Sequence, residues 1–242
     1  MWGTLLERHR TIWERKPVLR AVYGSWYEKI RGVLKSGKTL EIGGGSGNLK
    51  EHLPGIIASD IVPLPWLDLV SDALALPVKD ESMSNLVLFD VLHHLEDPFQ
   101  FFDEALRVLR SEGRVVLMEP YVSPLSYPIY RFLHQEALDM RHEPFEIRKP
   151  SSNHSTSDAN QALPTLIFFR HKRRFETRYP ALKVIRRNRL SFFAYPLSGG
   201  FDHPSLLPLW ALRPLFLIER LLGFLAPILA FRLFVILEKE SA

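Results

Sequence analysis

Glu41-Ile42-Gly43-Gly44-Gly45-Ser46-Gly47 follows the short apolar start Thr39-Leu40 and decides how the rest of the chain is read. Glycine has no Cβ, so such a run at a strand end lets the backbone turn sharply and come close to a ligand. A dinucleotide fingerprint, G-x-G-x-x-G, counted from Gly43 would need glycine where Asn48 stands, and counted from Gly44 where Ser46 stands. A phosphate-cradling loop would need Lys followed by Ser or Thr, and that is missing too. What remains is an acid ahead of G-x-G-x-G, a pattern that a purely structural strand-to-helix turn would share.

Upstream, Leu5, Ile12, Trp13, Leu19, Tyr23, Trp26, Tyr27 and Ile30 recur at helical spacing, which predicts two N-terminal helices with breaks near Pro17 and Gly24. Downstream, short apolar pieces alternate with helical ones: a helix over 48–53, a strand over 56–58 closing at Asp60, and a strand over 86–89 closing at Asp90. A helix over 98–110 then buries Phe101, Phe102, Ala105, Leu106 and Leu109. Ser111-Glu112-Gly113 turns the chain into a strand over 114–118, ending at Glu119-Pro120. Such alternation is the sequence form of a parallel sheet with helices on both faces.

After Pro120 the composition shifts to Pro, Ser, Tyr and His until about Leu182, too long for an ordinary loop. Helices are expected over 127–140 and 158–171, in an insertion placed to act as a lid or recognition element. The stretch 206–237 is mostly apolar, but Arg213, Glu219, Arg220 and Arg232 leave no charge-free run of the ~20 residues that span a bilayer. Apolar helices to Ala230 and a buried strand over 233–237 are expected instead. Those helices would be covered by the insertion or meet a lipid surface; burial is the expectation, since the strand returns them to the core.

The 242 residues suffice for one α/β domain with an insertion, and the chain has no cysteine, which excludes disulfides, thiolate-held metal and a thiol nucleophile. The 31 basic and 27 acidic residues leave a net charge of +4, too little to argue for nucleic acid. Basic residues do gather at Arg170, Lys172, Arg173 and Arg174, and again at Lys183, Arg186, Arg187 and Arg189, either as a solvated face or toward phosphates or an anionic membrane. Glu7, Arg8, Arg10, Glu14, Arg15 and Lys16 interrupt the first twenty residues, so export is not expected and a cytoplasmic setting is.

The acid before G-x-G-x-G resembles the first motif of class I S-adenosylmethionine-dependent methyltransferases, and the following segments extend the resemblance over 39–120. Asp72-Ala73-Leu74-Ala75-Leu76-Pro77 resembles the loop of that superfamily whose aspartate accepts from the adenine amino group, and Leu86-Val87-Leu88-Phe89-Asp90-Val91-Leu92-His93-His94-Leu95 is similar to the fourth strand and its exit in the ubiquinone-biosynthesis-like, type 11 branch. Ser84-Asn85 departs from it, standing where members usually carry an aspartate. The resemblance implies a doubly wound, Rossmann-like α/β sheet, mostly parallel with an antiparallel C-terminal strand, plus a helical insertion. One domain over 1–242 is expected: N-terminal helices in 1–36, the cofactor-binding half in 37–122, the insertion in 123–181 and completion of the sheet in 182–242.

The cofactor implied is S-adenosylmethionine. Glu41 would organise its amino-acid end and Gly43, Gly45 and Gly47 pack on its methionine part, while Asp60 accepts from the ribose hydroxyls. Ile61, Asp72 and Ala73 would hold the adenine, and Phe89 is counted among the cofactor-binding residues. Asp90, His93 and His94 stand past the fourth strand, where a neutral histidine would serve as general base to an oxygen acceptor; a packing or capping role is the alternative. His134, Glu136, Asp139, His142 and Glu143 lack a recognised ligand spacing, so no metal is expected. Tyr121, Tyr127, Tyr130 and Phe132 are candidates for a pocket wall. The expected acceptor is a small molecule or a lipid- or glycan-linked one, with peripheral membrane contact as an option. An RNA or protein methyltransferase, or a cofactor-binding scaffold without transfer activity, are the alternatives.

Overall fold

The computed structural model describes residues 2–146 and 159–241. Two helices open the chain, α1 (Trp2–Arg15) and α2 (Pro17–Arg31), separated at Lys16 because Pro17, lacking an N–H, suits a first helical position. The break expected at Gly24 is absent: α2 runs through it, and an isolated glycine weakens a helix without ending it.

The central run is β1 (Thr39–Ile42), α3 (Asn48–His52), β2 (Ile57–Asp60), β3 (Leu69–Val70), β4 (Met83–Phe89), α4 (Pro98–Val108) and β5 (Leu109–Pro120). The remainder comprises α5 (Ser126–Leu133), α6 (Leu163–Thr165), α7 (Lys172–Arg178), β6 (Leu182–Leu190), α8 (Ala194–Ser198), α9 (Leu212–Leu221), α10 (Ala226–Leu229) and β7 (Arg232–Lys239). The strands lie in the order β3-β2-β1-β4-β5-β7-β6, with β7 antiparallel to both neighbours and the other pairs parallel. The reversal of order beside β1 sets the carboxyl ends of β1, β2 and β4 around one crevice, where open α/β sheets bind ligands.

Strand alternation divides the core between the two faces. Leu86, Leu88, Val115, Leu117, Leu233 and Val235 point to the face covered by α4 and the 163–182 segment. Val87, Val116, Met118, Phe234 and Ile236 point to the face covered by α2 and α9. Asp97 caps α4 by accepting from the amides of Phe99 and Gln100.

Several expectations give way. The turn at Ser111-Glu112-Gly113 is a loop-out within β5, whose pairing with β4 jumps from Leu109 to Arg114. The first insertion helix stops at Leu133 rather than Met140. The second is the three-residue α6, a wide turn over Leu166–Arg170, and α7; its expected first residue, Asp158, lies outside the described residues. The basic group Lys183, Arg186, Arg187 and Arg189 is an edge strand, β6, as suits a strand with one unpaired side. Tyr121 and Tyr130 are buried, whereas Tyr127 and Phe132 are exposed, so the four do not form one pocket wall.

The largest correction concerns 206–230. The strand after it joins the sheet as expected, yet Leu209, Trp210, Leu217, Leu221, Phe224 and Ile228 face outward, and Leu212 and Ala226 are the buried residues of α9 and α10. Among the described residues no helix is long and apolar enough to cross a membrane.

Candidate cofactor and acceptor site

The glycine loop leaves β1 with positive φ at Gly43, Gly45 and Gly47 (70°, 49° and 77°), the left-handed region open to glycine. A Cβ on Gly43 would lie 2.3 Å from Val91 Cγ2, so the exit of β4 packs directly on the loop. Asp60, at the end of β2, accepts from the amides of Gly45 (2.9 Å) and Val62 (3.0 Å) and ties the loop to the second strand. Trp66 Nε1 donates to Gly45 O at 2.8 Å, and Arg10 of α1 lies 4.9 Å over the Trp66 ring. Neither Trp66 nor Arg10 carried a signal in the sequence.

Glu41 is buried beneath this loop, and its Oε2 has no hydrogen-bond partner. Burial first, then the neighbouring Asp60, pushes its carboxyl up to about 8. An orphaned carboxyl oxygen under a loop of left-handed glycines fits the ammonium end of an amino-acid ligand, and Asp60 retains lone pairs for hydroxyls. Ile61 is exposed beside it. Asp72 accepts from Leu74 N at 2.8 Å in a tight turn, and Ala73 is buried. Phe89 points to the α2 face, its ring 5.3 Å from Tyr23 and 5.8 Å from Trp26.

Past β4, Asp90 adopts φ 57°, with Arg232 Nη2 at 2.6 Å from its Oδ1. Arg232 is buried, its guanidinium 5.0 Å over Trp26, 5.4 Å over Phe89 and 5.6 Å over Tyr195. The Asp90 side chain stays 29% accessible. Its enclosure pushes the carboxyl above its ordinary range, against the pull of Arg232 and His93.

His93 has no free ring nitrogen: Nδ1 is 2.7 Å from Glu119 Oε2 and Nε2 is 3.3 Å from Glu136 Oε2. Burial would lower its pKa, but the bonds and charges of Glu119 and Glu136 outweigh that and raise it to about 10. His93 is therefore an imidazolium at neutral pH, and the expectation of a neutral base is corrected at this position. Glu119 Oε1 also accepts from the amides of Val91 (2.9 Å) and Leu92 (2.8 Å). Glu136, despite its burial, is held well below the carboxylate range by His93 and His94, and accepts from Gln161 Nε2 at 2.8 Å. His94 Nε2 lies 3.4 Å from Glu136 Oε1.

Glu136 thus joins the residues after β4 rather than His142. The atoms of His93, His94 and Glu136 fall within metal-ligating reach, but hydrogen bonds on both nitrogens satisfy His93 as an ion-pair partner. Asn160 N donates to His93 O at 2.9 Å, and Asn160 Oδ1 accepts from Asp139 N at 3.0 Å, so Ala159-Asn160-Gln161-Ala162 fastens the insertion over this corner.

A family model described as a methyltransferase domain matches residues 40–117. No curated protein sequence matches the chain. Among solved structures, a S-adenosylmethionine-dependent methyltransferase from Thermotoga maritima, described as a possible histamine N-methyltransferase, aligns over 100% of both chains at 18% identity with TM-score 0.56. A S-adenosylmethionine-dependent methyltransferase from Archaeoglobus fulgidus aligns over 94% of this chain and 97% of its own at 14% identity, with TM-score 0.54. A putative methyltransferase from Haloferax volcanii, solved with the Trm112 activator, aligns over 100% and 98% at 13% identity, with TM-score 0.52. At these identities the structures establish the shared fold.

Proposed function

We propose that the chain, with a methyltransferase domain matched over residues 40–117 and the fold of S-adenosylmethionine-dependent methyltransferases, is such an enzyme and methylates an oxygen of a small-molecule or lipid- or glycan-linked acceptor. The observation that carries an oxygen acceptor is the Asp90 carboxyl, accessible at the end of β4 and next to Val91, which packs on Gly43.

S-adenosylmethionine supplies a methyl group already activated on a sulfonium. Glu41 and the backbone of Gly43, Gly45 and Gly47 would hold its amino-acid end; Asp60 would take the ribose hydroxyls, and Ile61, Asp72 and Ala73 would flank the adenine. Phe89 supports the site from behind through its packing on α2. An acceptor hydroxyl placed against Asp90 would give its proton to that carboxylate, which makes its oxygen the nucleophile that would displace the thioether from the sulfonium methyl. Arg232 fixes that carboxylate, and His93 fixes Glu119 and Glu136, so the backbone after β4 is held in one geometry. His94 faces the same corner. The setting proposed with it is the cytoplasm.

The test is calorimetric titration with S-adenosylmethionine, followed by transfer of labelled methyl to fractionated envelope lipids, sugars and quinone precursors. Binding with label on an ether-type product that Asp90→Asn does not make supports the proposal. Label only on nitrogen or carbon would refute the oxygen assignment.

A further inference from the structure

We propose that the outer face of α9 and α10 is a docking surface for an anionic lipid bilayer. Trp210 is 79% exposed and Phe224 77%, and Leu209, Leu217, Leu221 and Ile228 stand out beside them. A run of exposed large apolar side chains on consecutive short helices is not the surface of a helix that faces only water.

The charges select the partner. The one acid between positions 206 and 230 is Glu219, and it is spent inward. Its Oε1 accepts from the amides of Phe192 (3.1 Å), Phe193 (2.7 Å) and Ala194 (2.7 Å), capping the start of α8. Arg213 and Arg220 stay exposed on α9. Beside them an open cleft of about 980 Å³ between α2, β6 and the turn after α9 adds Lys29 and Arg186 next to Phe224 and Pro227. Among the described residues none of these four cations is ion-paired.

Apolar side chains beside unpaired cations complement hydrocarbon beneath a layer of phosphates. A second copy of the chain on the same face would set those like charges against one another. Leu125 N, just before α5, donates to Ile228 O at 3.0 Å, and α5 carries the exposed Phe132 and Leu133, so a second apolar element is fastened at this edge. The inference goes beyond the acceptor proposed above and does not depend on it; cofactor titration reads that proposal separately.

The full chain should be floated with phosphatidylcholine vesicles, with and without phosphatidylglycerol, at low and high salt. Flotation with the anionic vesicles, weakened by salt, is expected. Trp210→Glu combined with Phe224→Glu should abolish it, and Arg213→Glu or Arg220→Glu should each weaken partitioning about fivefold or more. Affinity for S-adenosylmethionine should not change in these variants, because their side chains are exposed. Failure of the wild-type chain to float, or equal flotation with neutral vesicles, would overturn the proposal. So would a dimer in sedimentation that the same substitutions dissociate.

Discussion

Arg232 Nη2 and Asp90 Oδ1 stand 2.6 Å apart, joining the first residue of the last strand to the residue that follows the fourth. Pairing with the guanidinium holds a carboxyl, otherwise pushed up by its enclosure, in reach of its charged form. Asp90→Asn should therefore reduce turnover about 10²–10⁴-fold, leaving cofactor affinity near that of the wild type. Because the Asp90 pKa is raised, wild-type turnover should fall as the pH drops through that raised value, and the Asn variant should lack that limb. Arg232→Met leaves Asp90 enclosed without its counter-ion and should cost about 3–5 kcal/mol in urea unfolding. Asp90→Asn combined with Arg232→Met should cost less than the sum of the two.

The imidazolium of His93 makes stability depend on pH. Its folded pKa, about 10, lies above the ordinary 6.5, so its contribution is complete below about 6.5 and is lost as the pH rises through 10. Glu136 works in the opposite sense: its pKa is depressed, so its contribution is present above the ordinary carboxylate value and lost in acid. The stability gap between wild type and His93→Gln should thus be widest at about pH 5–6.5 and narrow toward pH 10. Chemical denaturation across that range measures it, and a gap independent of pH would mean that His93 is neutral.

Glu41 leads to a proton count. With its carboxyl raised to about 8 by burial, it is mostly protonated at pH 7, yet an ammonium group on its free oxygen favours the charged form. Binding of S-adenosylmethionine at pH 7 should release up to one proton, and affinity should rise between about pH 6.5 and 8.5. Titration in buffers of different ionisation enthalpy reads the release directly. Glu41→Gln should bind more weakly and release none.

Strands β1, β2, β4 and β5 were legible because strands buried on both faces are apolar runs, and their ends carry glycine or acid, whereas the two-residue β3, with Val70 exposed, carried no such signal. The edge strand β6 was not legible either. Its outward residues are basic, and a register shift between Val184 and Arg186 removes the alternation by which a strand is recognised. Of the candidate site, the glycine loop and Asp60 were reached through the resemblance of their spacing to a known motif. Arg232 looked like an interruption of an apolar run, since nothing local marks it as the counter-ion of a residue 142 positions earlier. Glu136 was grouped with its sequence neighbours for the same reason, although its partners His93 and His94 lie beyond a strand and two helices. The outward face of α9 follows from the inward use of Glu219, which sequence cannot show.

Two glycines, both singled out by sequence, should respond oppositely to one methyl group. Gly24 lies inside α2 at helical φ, and the nearest atom to an added Cβ is His52 Cε1 at 3.9 Å, an ordinary contact. Gly24→Ala should stabilise the protein by about 0.5–1 kcal/mol, because alanine loses less backbone entropy in a helix. Gly43 has φ 70°, and its added Cβ would meet Val91 Cγ2 at 2.3 Å, so both backbone and neighbour must yield. Strain in the left-handed region alone costs about 1–2 kcal/mol, and the shift moves the backbone proposed to hold the cofactor. Gly43→Ala should lower the thermal midpoint and weaken S-adenosylmethionine binding, whereas Gly24→Ala should raise the midpoint and leave binding as it was. Thermal melts with and without the cofactor separate the two effects, and equal behaviour of the two variants would remove Gly43 from the binding loop.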